Sequence, residues 1–262
     1  MNEVKHKIDN TYIHYVKFGE GPKNVVFVSG VSLCGFEGMG AAIAKQYRLM
    51  TEDYTCYVFD RRADITESCT TSNLSDDLYY TLKEIGIDKA DFVGYSQGGM
   101  ISLDMALRHP DIVNKLVLCS TTAEANEISG EVWKQCRDYL NKGDVHSFNM
   151  YLYERIYSDT FFKANEAALD RLAKNGSKAQ VVRFIHLTES MDAFNVRNEL
   201  KNITCPCFVI GSLNDQIFGV QASIDLAKAL GCESYIYQDQ AHASCDEAPD
   251  FCDRVLAFLR KN

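Results

Sequence analysis

Ala90-Asp91-Phe92-Val93-Gly94-Tyr95-Ser96-Gln97-Gly98-Gly99-Met100 is the stretch from which the fold is read. An apolar run ends in Gly94-x-Ser96-x-Gly98, and a helix-like stretch, Met100 to Arg108, follows Gly99. Between a strand and a helix, that pentapeptide is the pattern of a nucleophile elbow. Its glycines let the chain turn so tightly that the serine hydroxyl projects from the end of the sheet, at positions where a side chain would clash. Five loosely constrained positions also recur by chance, and a tight turn with a merely exposed serine has the same local signature. The strand–turn–helix setting favours the nucleophile.

A serine hydroxyl is a poor nucleophile at neutral pH. It needs a base within hydrogen-bond reach, and the base needs a carboxylate to hold its tautomer. In this topology the partners follow in the order serine, acid, histidine. Of the six histidines, His6 and His14 come too early, and His109 ends the helix after the elbow, before Pro110. His146 and His186 fall inside helical patterns of a middle segment. His242 sits in a polar loop between the strand-like Ser234 to Gln238 and an amphipathic stretch, Pro249 to Leu259, and is the expected base. Its plainer reading is a solvated loop histidine.

The acid is expected in the loop after the preceding strand, Pro206 to Gly211. That loop reads Ser212-Leu213-Asn214-Asp215-Gln216, which makes Asp215 the candidate. Asp239 and Asp246 are nearer His242 but share its loop and lack an anchoring strand end; Asp192 competes from the middle segment. An aspartate in such a loop is often only a turn former or a helix cap. For the oxyanion, strand-like Val25 to Val28 runs into Ser29-Gly30-Val31-Ser32. One backbone N–H is expected from that loop and one from the residue after the nucleophile, hence Val31 and Gln97.

With these residues the chain resembles the α/β-hydrolase family, in its compact form with a helical cap, over nearly all of its length. Asp60 and Arg62 resemble remnants of the family's Asp-x-Arg-Gly-x-Gly-x-Ser loop, and Arg108 to Leu118 resembles its link from the post-elbow helix into the next strand. The chain departs from the family at two places. Ser29-Gly30 stands where His-Gly is common, and Ala63, Asp64 and Ile65 replace the glycines of the Asp60 loop. The resemblance implies esterase, lipase, lactonase, amidase or related chemistry through an acyl-enzyme.

A chain of 262 residues suffices for one large α/β domain. With 27 Lys and Arg against 36 Asp and Glu, the net charge is −9, and no basic run marks a nucleic-acid or anionic-membrane partner. Residues 1–7 show no apolar core of a signal peptide, and no stretch approaches the roughly 18 apolar residues of a membrane helix. The ten cysteines lie scattered through strand-like and helical patterns, so reduced thiols in a cytoplasmic protein are expected. Cys205-Pro206-Cys207 fits neither a redox motif nor half a zinc site, and neither metal nor organic cofactor is expected.

Alternating β-rich and helical patterns predict a mostly parallel sheet covered on both faces. Thr11 to Phe18 reads as an antiparallel edge strand, and further strands are expected near 24–29, 55–60, 90–95, 115–120, 206–211 and 234–238. Ser75 to Gly86, with Ser75 as its cap, and Val220 to Leu230 read as helices. Residues 122–198 break the alternation; they are helical, aromatic-rich and placed where the family carries its cap. The expected division is therefore a core of 1–121 and 199–262 with a cap of 122–198. Most cap aromatics are expected to serve packing. Ser32, Cys34, Trp133 and Tyr151 are the candidates for contact with a substrate.

The expected function is cleavage of a small or medium ester, thioester or lactone by Ser96, His242 and Asp215. Two other readings share the scaffold: a small-molecule receptor or signalling partner with little turnover, and cofactor-free haloperoxidase, C–C hydrolase or lyase chemistry. Epoxide hydrolases and dehalogenases carry an aspartate at the position of Ser96.

Overall fold

The structure, a computed structural model, describes residues 1–261. Eight strands among them form one sheet: β1 (Asn2–Ile8), β2 (Thr11–Phe18), β3 (Lys23–Val28), β4 (Tyr54–Arg62), β5 (Ala90–Tyr95), β6 (Val113–Cys119), β7 (Cys207–Ser212) and β8 (Glu233–Tyr237). Their spatial order is β1-β2-β4-β3-β5-β6-β7-β8. β1 and β2 pair antiparallel, as do β2 and β4, and every later pairing is parallel. All six residues of β5 are buried, the mark of a central strand covered on both faces and the reason its sequence is nearly uniformly apolar.

The helices are α1 (Gly40–Gln46), α2 (Thr71–Glu84), α3 (Gln97–Arg108), α4 (Glu127–Asn141), α5 (Val145–Ile156), α6 (Asp159–Ala173), α7 (Lys178–Asp192), α8 (Val220–Leu230), α9 (Ser244–Glu247) and α10 (Phe251–Leu259). The pleat divides the interior into two cores. Val26, Val28, Phe92, Leu116 and Leu118 pack with Leu74 and Leu78 of α2 and Met100 and Ile101 of α3. The alternate residues Val25, Phe27, Val93 and Val117 pack on the other face with Ile43 of α1 and Phe251 and Val255 of α10. Between β6 and β7 the chain forms α4 to α7; its strand-like contact is a single bridge, Glu124 to Asn195.

Local details depart from the sequence reading. Thr11–Phe18 is not the edge, because β1 pairs along its outer side from Asn2↔Lys17 to Ile8↔Thr11. Helix α2 begins four residues before Ser75: Thr70 caps it by accepting the Asn73 N–H, and the Asn73 side chain accepts the Thr70 N–H in return. Ser75 instead lies buried inside that helix. Helix α1 was not expected from the pattern.

Candidate active site

The ends of three strands, β5, β7 and β8, build the site. At the end of β5 the chain reverses through Ser96, whose φ of +51° is a conformation that L-residues with a side chain rarely hold. The turn is held by close backbone approach. A Cβ on Gly98 would sit 2.0 Å from Val28 O, and one on Gly94 would sit 2.6 Å from Gly98 O. Ser96 N–H donates to Cys119 O at 2.9 Å, and Thr121 Oγ1 donates to Ser96 O at 2.7 Å, so β6 clamps the elbow from one side. Ser96 also stands at the N-terminus of α3, where the helix dipole favours developing negative charge.

Asp215 follows β7 and is almost fully buried. Its Oδ1 accepts the backbone N–H groups of Ile217 at 2.8 Å and Phe218 at 3.1 Å, which fixes the carboxylate plane. His242, in the turn after β8, places Nδ1 at 3.0 Å from both Asp215 oxygens. An ionised carboxylate only accepts, so Nδ1 carries the proton and Nε2 is left as the acceptor. Burial works against the Asp215 charge, but the His242 charge, the hydrogen bond to its ring and the two backbone donors outweigh it and hold the carboxyl below its ordinary range. Two of the competing carboxylates have other partners: Asp192 pairs with Arg137 at 3.1 Å, and Asp246 accepts from Gln46 Nε2 at 3.2 Å.

Ser96 and His242 line one cavity of about 310 Å³ together with Ser29, Val31, Ser32 and Trp133. Among the described residues Ser96 Oγ makes no hydrogen bond, and the backbone N–H groups of Val31 and Gln97 donate to no protein acceptor. Gly30 brings the loop against the nucleophile: a Cβ there would lie 3.3 Å from Ser96 Cβ and 3.9 Å from its Oγ. Of the four candidate contact residues, Ser32 and Trp133 reach this cavity. Cys34 opens instead into a neighbouring cleft beside Asp60 and Arg183, and the Tyr151 ring lies under the Arg155 guanidinium, 3.4 Å from its centroid. The aromatics of the inserted helices mostly pack on each other, as Phe148 does on Phe184 at 4.8 Å.

The sequence reading did not include Arg61. It lies on β4 with 4% exposure, and its Nη1 donates to Ser29 Oγ at 2.8 Å and Gly30 O at 3.1 Å, while Nη2 donates to Ser29 O. Burial pushes its guanidinium down to about 10, still charged at neutral pH, with Asp60 as its counter-ion. Ser29 Oγ passes the contact on to Phe59 O at 3.1 Å. Arg61 and Ser29 thus organise the loop at the place where the family commonly has a histidine. The signal available in the sequence was the charged run Asp60-Arg61-Arg62 directly after the apolar Cys56 to Phe59, since a cation buried at a strand end is expensive unless it is paired.

Among the described residues no three His, Cys, Asp or Glu side chains converge so as to hold a metal ion, and no helix is long and apolar enough to cross a membrane. The family model described as alpha/beta hydrolase fold matches residues 23–249. The chain is 27% identical over 253 residues to a protein of Rhizobium rhizogenes named as a carbamate hydrolase, RutD, covering 91% of this chain and 93% of that one. It is 22% identical over 247 residues to 3-oxoadipate enol-lactonase 1 of Acinetobacter baylyi, covering 92% and 91%. Its fold superposes with a TM-score of 0.88 on MGS-M2, an alpha/beta hydrolase from a Medee basin deep-sea metagenome library, at 21% identity over 99% of this chain and 98% of that one.

Proposed function

Because the chain belongs to the alpha/beta hydrolase family, we propose that it is a serine hydrolase cleaving a small or medium carboxylic ester, thioester or lactone. The observation that carries this reading is the serine on a strained turn sharing a cavity with a histidine whose Nδ1 is held by a buried carboxylate. His242 Nε2 takes the Ser96 proton as Oγ attacks the carbonyl carbon, and the carbonyl electron pair moves onto oxygen. The amides of Val31 and Gln97, which lack protein acceptors, stabilise that oxyanion. Collapse of the intermediate expels the alcohol or thiol, to which His242⁺ gives its proton, with Asp215 stabilising the imidazolium. A water molecule then repeats the sequence on the acyl-enzyme.

In this reading helices α4 to α7 form a cap, since Trp133 of α4 and Leu152 and Ile156 of α5 line the wall facing Ser96. The cavity lining includes no Lys or Arg, and its apolar wall suits the uncharged body of an ester. The names of two relatives place carbamates and enol-lactones beside simple esters in the substrate panel.

The test is a fluorophosphonate probe on wild type and Ser96→Ala, read by intact mass. One adduct on wild type and none on the variant is expected. A folded wild type that takes no adduct would remove the activated serine from the account.

A further inference from the structure

Three described non-glycine residues have positive φ: Asp9, Ser96 and Ser120. Asp9 lies in the hairpin turn between β1 and β2, where such geometry is ordinary. Ser96 is the elbow. Ser120, with φ +44°, immediately follows β6 and is 3% exposed. Its Oγ is buried without a hydrogen-bond partner, and the residue lines the same cavity as Ser96 and His242. Strain and an unpaired buried hydroxyl each destabilise the folded state, and both fall on one residue beside the proposed nucleophile.

The surroundings hold Ser120 in that position. Its two neighbours grip the elbow, Cys119 O accepting Ser96 N–H at 2.9 Å and Thr121 Oγ1 donating to Ser96 O at 2.7 Å. Its own N–H donates to Ile210 O of β7 at 2.8 Å. In the sheet, β5 lies between β3 and β6. The Ser29–Ser32 loop, with the proposed oxyanion donor Val31, therefore approaches Ser96 from the β3 flank. Ser120 approaches from the other flank, toward β7 and β8, whose loops carry Asp215 and His242. A leaving group faces the side from which histidine protonates it.

We propose that Ser120 is a further catalytic residue: with substrate in the cavity its side chain turns about χ1 from the closed position it holds here, and its Oγ–H donates a hydrogen bond to the leaving-group oxygen of the ester as the C–O bond breaks. This rests on the hydrolase reading. The bond that breaks is still carbonyl carbon to leaving oxygen, and the proton still comes from His242⁺; Ser120 shares the charge that develops on that oxygen before the proton arrives.

The experiment compares Ser120→Ala, which deletes the hydroxyl, and Ser120→Gly, which also relieves the positive φ, with wild type. kcat/KM covers the steps through release of the alcohol and is measured for p-nitrophenyl, trifluoroethyl and ethyl butyrate. Both variants are expected to lose about tenfold for the ethyl ester, less for the trifluoroethyl ester and under about threefold for the p-nitrophenyl ester, whose oxygen carries its own charge well. Fluorophosphonate labelling of Ser96 expels fluoride and offers Ser120 no leaving oxygen, so its rate stays within about threefold of wild type. Equal losses across all esters and labelling would assign Ser120 a structural role, and unchanged ethyl ester kinetics would overturn the proposal outright. A wild type that neither labels nor cleaves any ester defeats the hydrolase reading and this inference with it; a labelled, active wild type with indifferent Ser120 variants defeats this inference alone.

Discussion

Ser96 and His242 carry little that distinguishes them as side chains; what sets them apart is a backbone at φ +51° and a carboxylate 3.0 Å from an imidazole nitrogen. Ser96→Ala and His242→Ala are each expected to lower kcat on the order of 10⁴-fold or more, as members of a unit lost singly do, with p-nitrophenyl ester hydrolysis as the assay. Variants within about tenfold of wild type would contradict those roles. Asp215 lends itself to a pH experiment. Its folded carboxyl is held below the ordinary range, so the stabilisation is complete above the unfolded value near about 4 and disappears as pH falls through the lower folded value. Urea denaturation of wild type and Asp215→Asn should therefore show wild type more stable near neutrality, with the gap closing as the solution is taken well below about pH 4. A gap independent of pH would show that the ion pair contributes nothing. The contact between His242 and Asp215 was legible as an expectation because strand ends order the two loops along the chain; Ser120 was not, since a buried serine declares nothing until its neighbours are known, and Arg61 was passed over within the charged run Asp60-Arg61-Arg62.

Elements fix these groups through a few close approaches. Helix α3 lies so near β3 that Gly98→Ala would push its Cβ into Val28 O, and we expect a loss on the order of 3 kcal/mol in denaturant unfolding, because both colliding atoms belong to backbone or start from it. The turn bearing His242 is tied to the inserted helices: Ala243 N–H donates to Ile156 O at 2.7 Å, and Glu247 Oε1 accepts from Ser158 N–H at 3.1 Å and Ala241 N–H at 3.3 Å. Glu247→Ala should loosen the base and lower kcat by about tenfold to a hundredfold, the penalty of a small misplacement, while KM changes little. A wild-type kcat would show that the turn holds without the clamp. Sequence periodicity located β3 to β8 within two residues or so, because buried parallel strands are apolar throughout. It passed over β1, where exposed Glu3, Lys5 and Lys7 alternate with half-buried Val4, His6 and Ile8 in a stretch with few apolar residues, and whose pairing with β2 supplies the reason it forms. The start of α2 moved to Thr70 because a reciprocal cap with Asn73 outweighs a serine lying four residues inside the helix.

At the scale of the molecule, the ten cysteines are all free, with Cys56, Cys119 and Cys136 buried among apolar side chains and Cys245 pushed well up by burial. A strong reductant should thus move the thermal midpoint by less than about 2 °C, and a larger fall would reveal a stabilising cross-link. The fold class, the elbow and the chain order of the candidate groups were settled by the sequence alone, since apolar runs, glycines at a strand–helix junction and polar loops after strands are local patterns with local physical causes. Only the tertiary structure decided that Asp215, rather than Asp239 or Asp246, meets His242, that Trp133 and Ser32 reach the cavity while Cys34 and Tyr151 do not, and that Ser120 stands strained beside Ser96. These are contacts between residues far apart along the chain. Their distances are set by how strands order in the sheet and how helices pack upon it, which no single stretch of residues encodes.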